Sequence, residues 1–292
     1  MRRETYSTPG GVLLNLDLPV GEIEIETAET AETTVELEAV SGSDSAADLV
    51  AGARIEALKR GDGHEVVVEV RPRHGISISF GVGPDIRFGT PQLRLRVTCP
   101  PGASLDIRTK SADVQARGTY DAVEIKTASG DLQVEDAGSA RIKTASGDVH
   151  VDRSRANLEV QSVSGDLHAG SVGGDLRAQL VSGDVHARDV GGSISANTVS
   201  GDQRFEAVLN GRVELKAISG DVIVGIRRGA RVFVDANTVS GSTSSEFELD
   251  DAPAQTPAAS DSDRQVEVFV KTVSGDIRLE RAPAPLELSG QS

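Results

Sequence analysis

Tryptophan is absent from this 292-residue sequence, and aromatic residues make up only 3% of it. A conventional globular core of that size uses more large rings. Val, Leu, Ile, Ala and Thr carry the apolar content instead, which suits a thin, evenly layered core. There is one cysteine, Cys99, so an intrachain disulfide framework is excluded. No histidine close by in sequence marks Cys99 as a reactive thiol, and a small buried apolar role is expected for it. Long hydrophobic runs are missing too. The charged start Met1-Arg2-Arg3-Glu4-Thr5 leads into no apolar stretch, and Val12 to Val20 is interrupted by Asn15, Asp17 and Pro19. Neither a signal peptide nor a membrane-inserting helix is expected, and the cytoplasm is the expected location. Positive charge is in short supply: 30 Lys and Arg stand against 45 Asp and Glu, a net charge of -15. Such a balance argues against a nucleic-acid backbone or an anionic membrane surface as partner.

What the sequence does contain is a repeat. Thr144-Ala145-Ser146-Gly147-Asp148-Val149-His150-Val151 is one copy of a unit that reads Thr/Ser-Ala/Val-Ser-Gly-Asp-apolar-x-apolar. Its serine recurs at Ser111, Ser129, Ser146, Ser164, Ser182, Ser200, Ser219, Ser240 and Ser274, with spacings of 18, 17, 18, 18, 18, 19, 21 and 34. Self-similarity at a fixed period marks a repeat architecture. Two and four residues after each Gly the positions are mostly apolar, as at Val149 and Val151 or Val222 and Val224. Six and four residues before each Ser they are apolar again, as at Leu158 and Val160 or Val213 and Leu215. One strand therefore enters each Ser-Gly-Asp turn and one leaves it, both with alternate residues inward. A second turn, often carrying Gly (Gly138, Gly174, Gly192, Gly211), precedes the next serine by about eight residues. The near-constant length and the repetition of each chemical column predict an all-β parallel β-solenoid. Its rungs of about 18 residues would stack about 4.8 Å apart. The outward series Glu124, Arg141, Glu159, Arg177 alternates in sign, which favours the same register.

Residues 1–102 read as an irregular N-terminal β cap, strand-like but out of register with the later repeat. Asp44 to about Leu58 forms a short helix in this reading, with Asp44 as its N-cap. Residues 72–91 are expected to make an irregular excursion or hairpin. The solenoid is expected over 103–282, with a mobile acidic Pro/Ala/Ser insertion at 250–263. Residues 283–292 read as a flexible tail, whose Leu286 and Leu288 could cover the last rung.

The Ser-Gly-Asp array, the Lys-Thr pairs before it (Lys126-Thr127, Lys143-Thr144, Lys271-Thr272) and the segment Val97-Thr98-Cys99-Pro100-Pro101-Gly102-Ala103-Ser104-Leu105 resemble the bacterial DUF4097 family. That family is also labelled "putative adhesin" or toast-rack domain. The resemblance covers nearly the whole chain and implies a β-solenoid. It also implies a setting in cell-envelope stress or two-component regulation, and it brings no catalytic residue with it.

Two columns could carry chemistry. Asp148, Asp166 and Asp184 repeat at one corner, and calcium-binding β-rolls place oxygen ligands on such turns. These turns lack the Gly-Gly-x-Gly-x-Asp loop, so a structural role for Ser, Gly and Asp is expected. His150, His168 and His186 lie two residues after those aspartates and point outward, where two or three imidazoles could share a zinc ion. The column continues as Gln115, Gln133 and Arg204, which favours a solvated polar ladder. No catalytic residue, metal site or cofactor is therefore expected. Tyr6 and Tyr120 are the only tyrosines, so platforms for sugar stacking are scarce. The expected function is a non-enzymatic interaction scaffold that binds a protein partner or a second copy of itself. An adhesin-like surface protein and a polysaccharide-acting enzyme are the alternatives.

Overall fold

Period-two alternation becomes strand throughout the computed structural model, which describes residues 1–40, 44–71, 92–247 and 265–282. The expected excursion at 72–91, the insertion at 250–263 and the tail at 283–292 lie outside the described residues. The chain is an all-β parallel β-solenoid, with one short helix among the described residues. It divides into two units, Met1–Val151 and Asp152–Ser292.

The first unit contains β1 (Arg2–Ser7), β2 (Val12–Thr27), β3 (Glu32–Ala39), α1 (Asp44–Gly52), β4 (Arg54–Arg60), β5 (Gly63–Glu69) and β6 (Leu93–Cys99). β7 (Ala103–Lys126) and β8 (Leu132–Lys143) follow, and β9 (Val149–Ser154) runs across the division. β7 pairs in parallel with β8, as the repeat requires. β2 was expected to stand out of register, yet it pairs in parallel with β7 from Leu13↔Ser104 to Glu26↔Arg117. On its other side β2 meets β5 through Val12–Asp17 and β6 through Glu22–Thr27, both parallel. β2 is thus a rung without a Ser-Gly-Asp corner, its bend carried by Val20-Gly21 opposite Ser111-Ala112. Val68, Leu16 and Ile107 stack across three strands and are all fully buried.

Antiparallel strands close this stack. β4 pairs with β5, β3 with β6, and β1 with β3. The helix ends at Gly52, short of the expected Leu58, because Arg54–Arg60 pairs along β5 with Ile55 opposite Val68. An open strand edge outweighs local helix preference there. On the outer face Arg94 lies between Glu22 (2.8 Å) and Glu38 (3.4 Å), and Arg96 reaches Glu24 at 2.7 Å.

In the second unit strands alternate between two ladders. The entering strands are β10 (Leu158–Ser164), β12 (Leu176–Ser182), β14 (Ile194–Ser200), β16 (Gly211–Ser219), β18 (Arg231–Ser240) and β20 (Gln265–Ser274). The leaving strands are β11 (Leu167–Val172), β13 (Val185–Val190), β15 (Gln203–Val208), β17 (Val222–Ile226), β19 (Thr243–Ser245) and β21 (Ile277–Arg281). Pairing is parallel and in register: Leu158↔Leu176, Leu176↔Ile194, Ile194↔Val213. The inward columns are buried up to β17. At Gln203 the core column turns polar; this buried amide donates to Thr198 Oγ1 (2.8 Å) and to the Lys216 carbonyl (2.9 Å).

The last two rungs stack out of sequence order. β16 pairs with β20, and β20 pairs with β18; likewise β17 pairs with β21 and β21 with β19. The later rung lies between its predecessors, which leaves β18 at the edge among the described residues. This placement is why Val234 and Ala236, expected as core, are only half-buried, while Val268 and Val270 of β20 are fully buried.

Candidate functional site

The Ser-Gly-Asp corners are organised around their glycines. The glycine takes a positive φ, +112° at Gly147 and +140° at Gly183, and its Cα faces the carbonyl oxygen of the preceding rung's glycine. A Cβ at Gly183 would lie 2.1 Å from the Gly165 oxygen, so only glycine fits. Where a hydroxyl stands two residues before the serine it bonds across the turn, as Thr127 Oγ1 and Thr144 Oγ1 donate to the Ser129 and Ser146 carbonyls at 2.8 Å; Leu180 and Ala217 take that place in two rungs.

The aspartate column is a backbone ladder. The Asp148 N–H donates to Asp131 Oδ1 at 3.0 Å in the first unit. In the second, the N–H groups of Asp184, Asp202, Asp221 and Asp276 donate to Oδ1 of Asp166, Asp184, Asp202 and Asp221 at 2.7–2.8 Å. Each carboxylate reaches along the stack to the next rung, and none of these bonds draws several carboxylates to one point. The ladder follows the exchanged strand order and ends where the Ser242 N–H and hydroxyl donate to Asp276 Oδ1 at 2.8 and 3.0 Å. Those two bonds hold the Asp276 carboxyl below its ordinary pKa, the backbone donor contributing most.

A second ladder at the opposite corner was missed from sequence. The Asp175 N–H donates to Asn157 Oδ1, and the Ser193 N–H to Asp175 Oδ1, both at 2.9 Å. Its signal was present in the 18-residue spacing of Asn157, Asp175 and Ser193.

The histidines point outward as expected. His168 lies opposite His186 on paired strands, with ring centroids 5.9 Å apart and planes at 86°. His186 Nε2 is 2.8 Å from Glu206 Oε1, so a carboxylate rather than a second imidazole holds its outer nitrogen. His150 is exposed on β9 in the strand leaving the Asp148 corner. Among the described residues no group of three or more His, Cys, Asp or Glu side chains is placed to hold a metal ion.

Tyr120 is fully buried, and its hydroxyl lies 2.7 Å from the Arg117 carbonyl and 3.0 Å from that of Ile25. It offers no stacking face to a sugar. Cys99 is buried and free of disulfide, and burial pushes its thiol pKa up to about 12, away from nucleophilic reactivity.

What the corners do expose is apolar. The residue before each serine points outward: Val163, Val181, Val199, Ile218 and Val273 are 43–54% exposed, and Val239 on the edge strand is 82% exposed. These residues sit between in-register pairs such as Ser162↔Leu180 and Ser164↔Ser182, one per rung. The sequence carried this column openly in its Val-Ser-Gly-Asp units, but the alternation rule assigns no contact to an outward residue.

Parallel strands stacked in register, glycine corners and carboxylate ladders define a β-solenoid repeat protein whose repeated motif is structural. The chain belongs to the Toastrack DUF4097 family, whose model matches residues 103–280. Solved structures that match this chain include a "putative adhesin" from Parabacteroides distasonis, at 12% identity, 95% of this chain, 96% of that one and a TM-score of 0.44. A "putative cell adhesion protein" from Clostridium sporogenes matches at 12% identity over 96% and 99% of the chains, with a TM-score of 0.26. A "putative adhesin" from Bacteroides fragilis matches at 13% identity over 95% and 96%, with a TM-score of 0.27. No curated protein sequence matches this chain.

Proposed function

We propose that this protein is a non-enzymatic interaction scaffold that presents repeated outward columns to a protein partner. The observation that carries the reading is the exposed column Val163, Val181, Val199, Ile218, Val273 and Val239, one β-branched side chain per rung. Scattered exposed apolar residues are ordinary, but a contiguous aligned row rimmed by polar side chains marks a contact surface. The polar chemistry of the repeat supports the same reading, because the Asp side chains already serve backbone N–H groups. A bacterial envelope-stress or regulatory setting and a cytoplasmic location belong to this proposal; the setting rests on the family resemblance alone.

The test is affinity capture from native lysate with the wild-type chain and with Val181→Asp/Val199→Asp. A partner retained by the wild type and lost by the variant, at unchanged melting temperature, is the expected result. A partner indifferent to the column, or turnover in a glycan hydrolysis screen abolished by one carboxylate substitution, overturns the scaffold reading. Recovery of the protein only from the surface or extracellular fraction overturns the location and favours an adhesin.

A further inference from the structure

Among the described residues β18 pairs on one side only, with β20. It is ten residues long and its register with β20 runs without a bulge from Arg231 to Thr238. Its sequence, Arg231-Val-Phe-Val-Asp-Ala-Asn-Thr-Val-Ser240, contains no proline and no lysine. Natural sheet edges are usually blunted by such residues, by bulges or by shortness. The inward-facing Val232, Val234 and Ala236 are half-buried, so the core is left incomplete at this edge. The corner also terminates here, since Ser242 stands where other rungs carry an aspartate that would hold a following rung's N–H.

We infer that β18 is a homodimer edge, its occupant being β18 of a second copy related by a two-fold axis through Phe233; this goes beyond the scaffold reading, whose Val181–Val199 column is a separate surface. Two identical edges can meet by a two-fold axis along the strands or by one perpendicular to the sheet. The first would place the apolar inner face of one copy beside the outer face of the other. The second pairs the strands antiparallel and keeps both inner faces on the same side.

Centred on Phe233, that antiparallel register is self-complementary. Val232 falls opposite Val234 of the second copy and continues the core row. Arg231 falls opposite Asp235, and by symmetry the same ion pair forms twice. All these pairs join residues of the same face, as cross-strand pairing demands. A register centred on Asp235 would instead oppose two carboxylates. The two Phe233 rings meet at the axis and extend an aromatic row already present, because Phe233 lies 5.9 Å from Phe269 and the Arg212 guanidinium sits 4.2 Å over Phe269. Phe233 is 55% exposed in a chain with very few aromatic residues, and buried aromatics are frequent anchors of interfaces. With a net charge of -15 opposing association in general, local complementarity has to select the contact.

Sedimentation velocity on the full chain tests this. Wild type is expected to show a concentration-dependent monomer–dimer equilibrium. Arg231→Asp and Asp235→Arg, each at an exposed position, are expected to raise the dimer dissociation constant by about tenfold or more, with melting temperatures unchanged. Like charges then face each other in each variant alone. Mixing the two variants restores both ion pairs, and so does the double substitution R231D/D235R; dimer should return in both cases. A monomeric wild type, a dimer untouched by either substitution, or no recovery on mixing overturns the assignment. A monomer that still captures a partner through the Val181–Val199 column leaves the scaffold reading standing, which separates the two failures.

Discussion

Gly147 shows how a single residue sets a corner. Its φ is +112° and its Cα faces the Gly130 carbonyl, so that a Cβ would lie 2.2 Å from that oxygen. Gly61 also has positive φ, but open space surrounds the position a Cβ would take. Gly147→Val is expected to lose on the order of 3 kcal/mol, combining backbone strain with displacement of the adjacent rung. Gly61→Asn should cost under about 1 kcal/mol, since asparagine tolerates a left-handed φ. Denaturant melts of both variants check this, and an unchanged melt for Gly147→Val contradicts the corner geometry. Asp276 makes a second residue-scale case. Its folded pKa is depressed, so its stabilising contribution is present above the pKa of the unfolded chain and is lost as pH falls through the folded value. Asp276→Asn keeps an acceptor oxygen for Ser242 but does not titrate. Relative to the variant, the wild-type melting temperature should fall more steeply below the ordinary aspartate range. Parallel curves for the two proteins down to acid denaturation would remove Asp276 from the account.

At the scale of the element, two irregularities of the repeat have structural causes. The spacing drops from 18 between Ser111 and Ser129 to 17 between Ser129 and Ser146, because β7 carries one extra residue between Ala116 and Thr119. Gly118 sits in that bulge with φ +100° and absorbs the surplus without disturbing Val123↔Ala140 beyond it. The 34-residue gap before Ser274 accompanies the exchanged order β16–β20–β18. A cysteine pair distinguishes that order from sequential stacking. Lys216 and Lys271 are direct partners, and neighbouring strands lie about 4.8 Å apart, within disulfide reach. Asn237 is one strand further from Lys216, at roughly 9.6 Å if the strands keep that spacing, which is too far. Lys216→Cys/Lys271→Cys should oxidise to an intrachain disulfide and Lys216→Cys/Asn237→Cys should not; the reverse result would restore the sequential order. Buried Cys99 takes no part.

Across the whole molecule, the sequence by itself determined the architecture wherever chemistry recurs at a fixed period. Alternating Val, Leu and Ile defined the inward columns, the glycines the corners, and the outward position of His168 and His186 followed from the same alternation. Absences did equal service: few aromatics, one cysteine and a net charge of -15 narrowed the chemistry. Tertiary structure decided which strands became neighbours. β2 lacks the Ser-Gly-Asp motif, yet it is a rung because β7 on one side and β5 with β6 on the other offer parallel edges in register. Arg54–Arg60 became a strand for a similar reason. Besides the 34-residue gap, the exchange of β18 and β20 left a chemical mark in the sequence, the Ser242 that replaces aspartate in the terminal corner. That mark gains its meaning only once the ladder of carboxylates and N–H groups is seen. Inward or outward direction is a property of one strand and can be read along it, whereas adjacency depends on the competition of separate edges for the same hydrogen bonds and core. That competition set Phe233, Arg231 and Asp235 of β18 at an edge that, among the described residues, pairs on one side only.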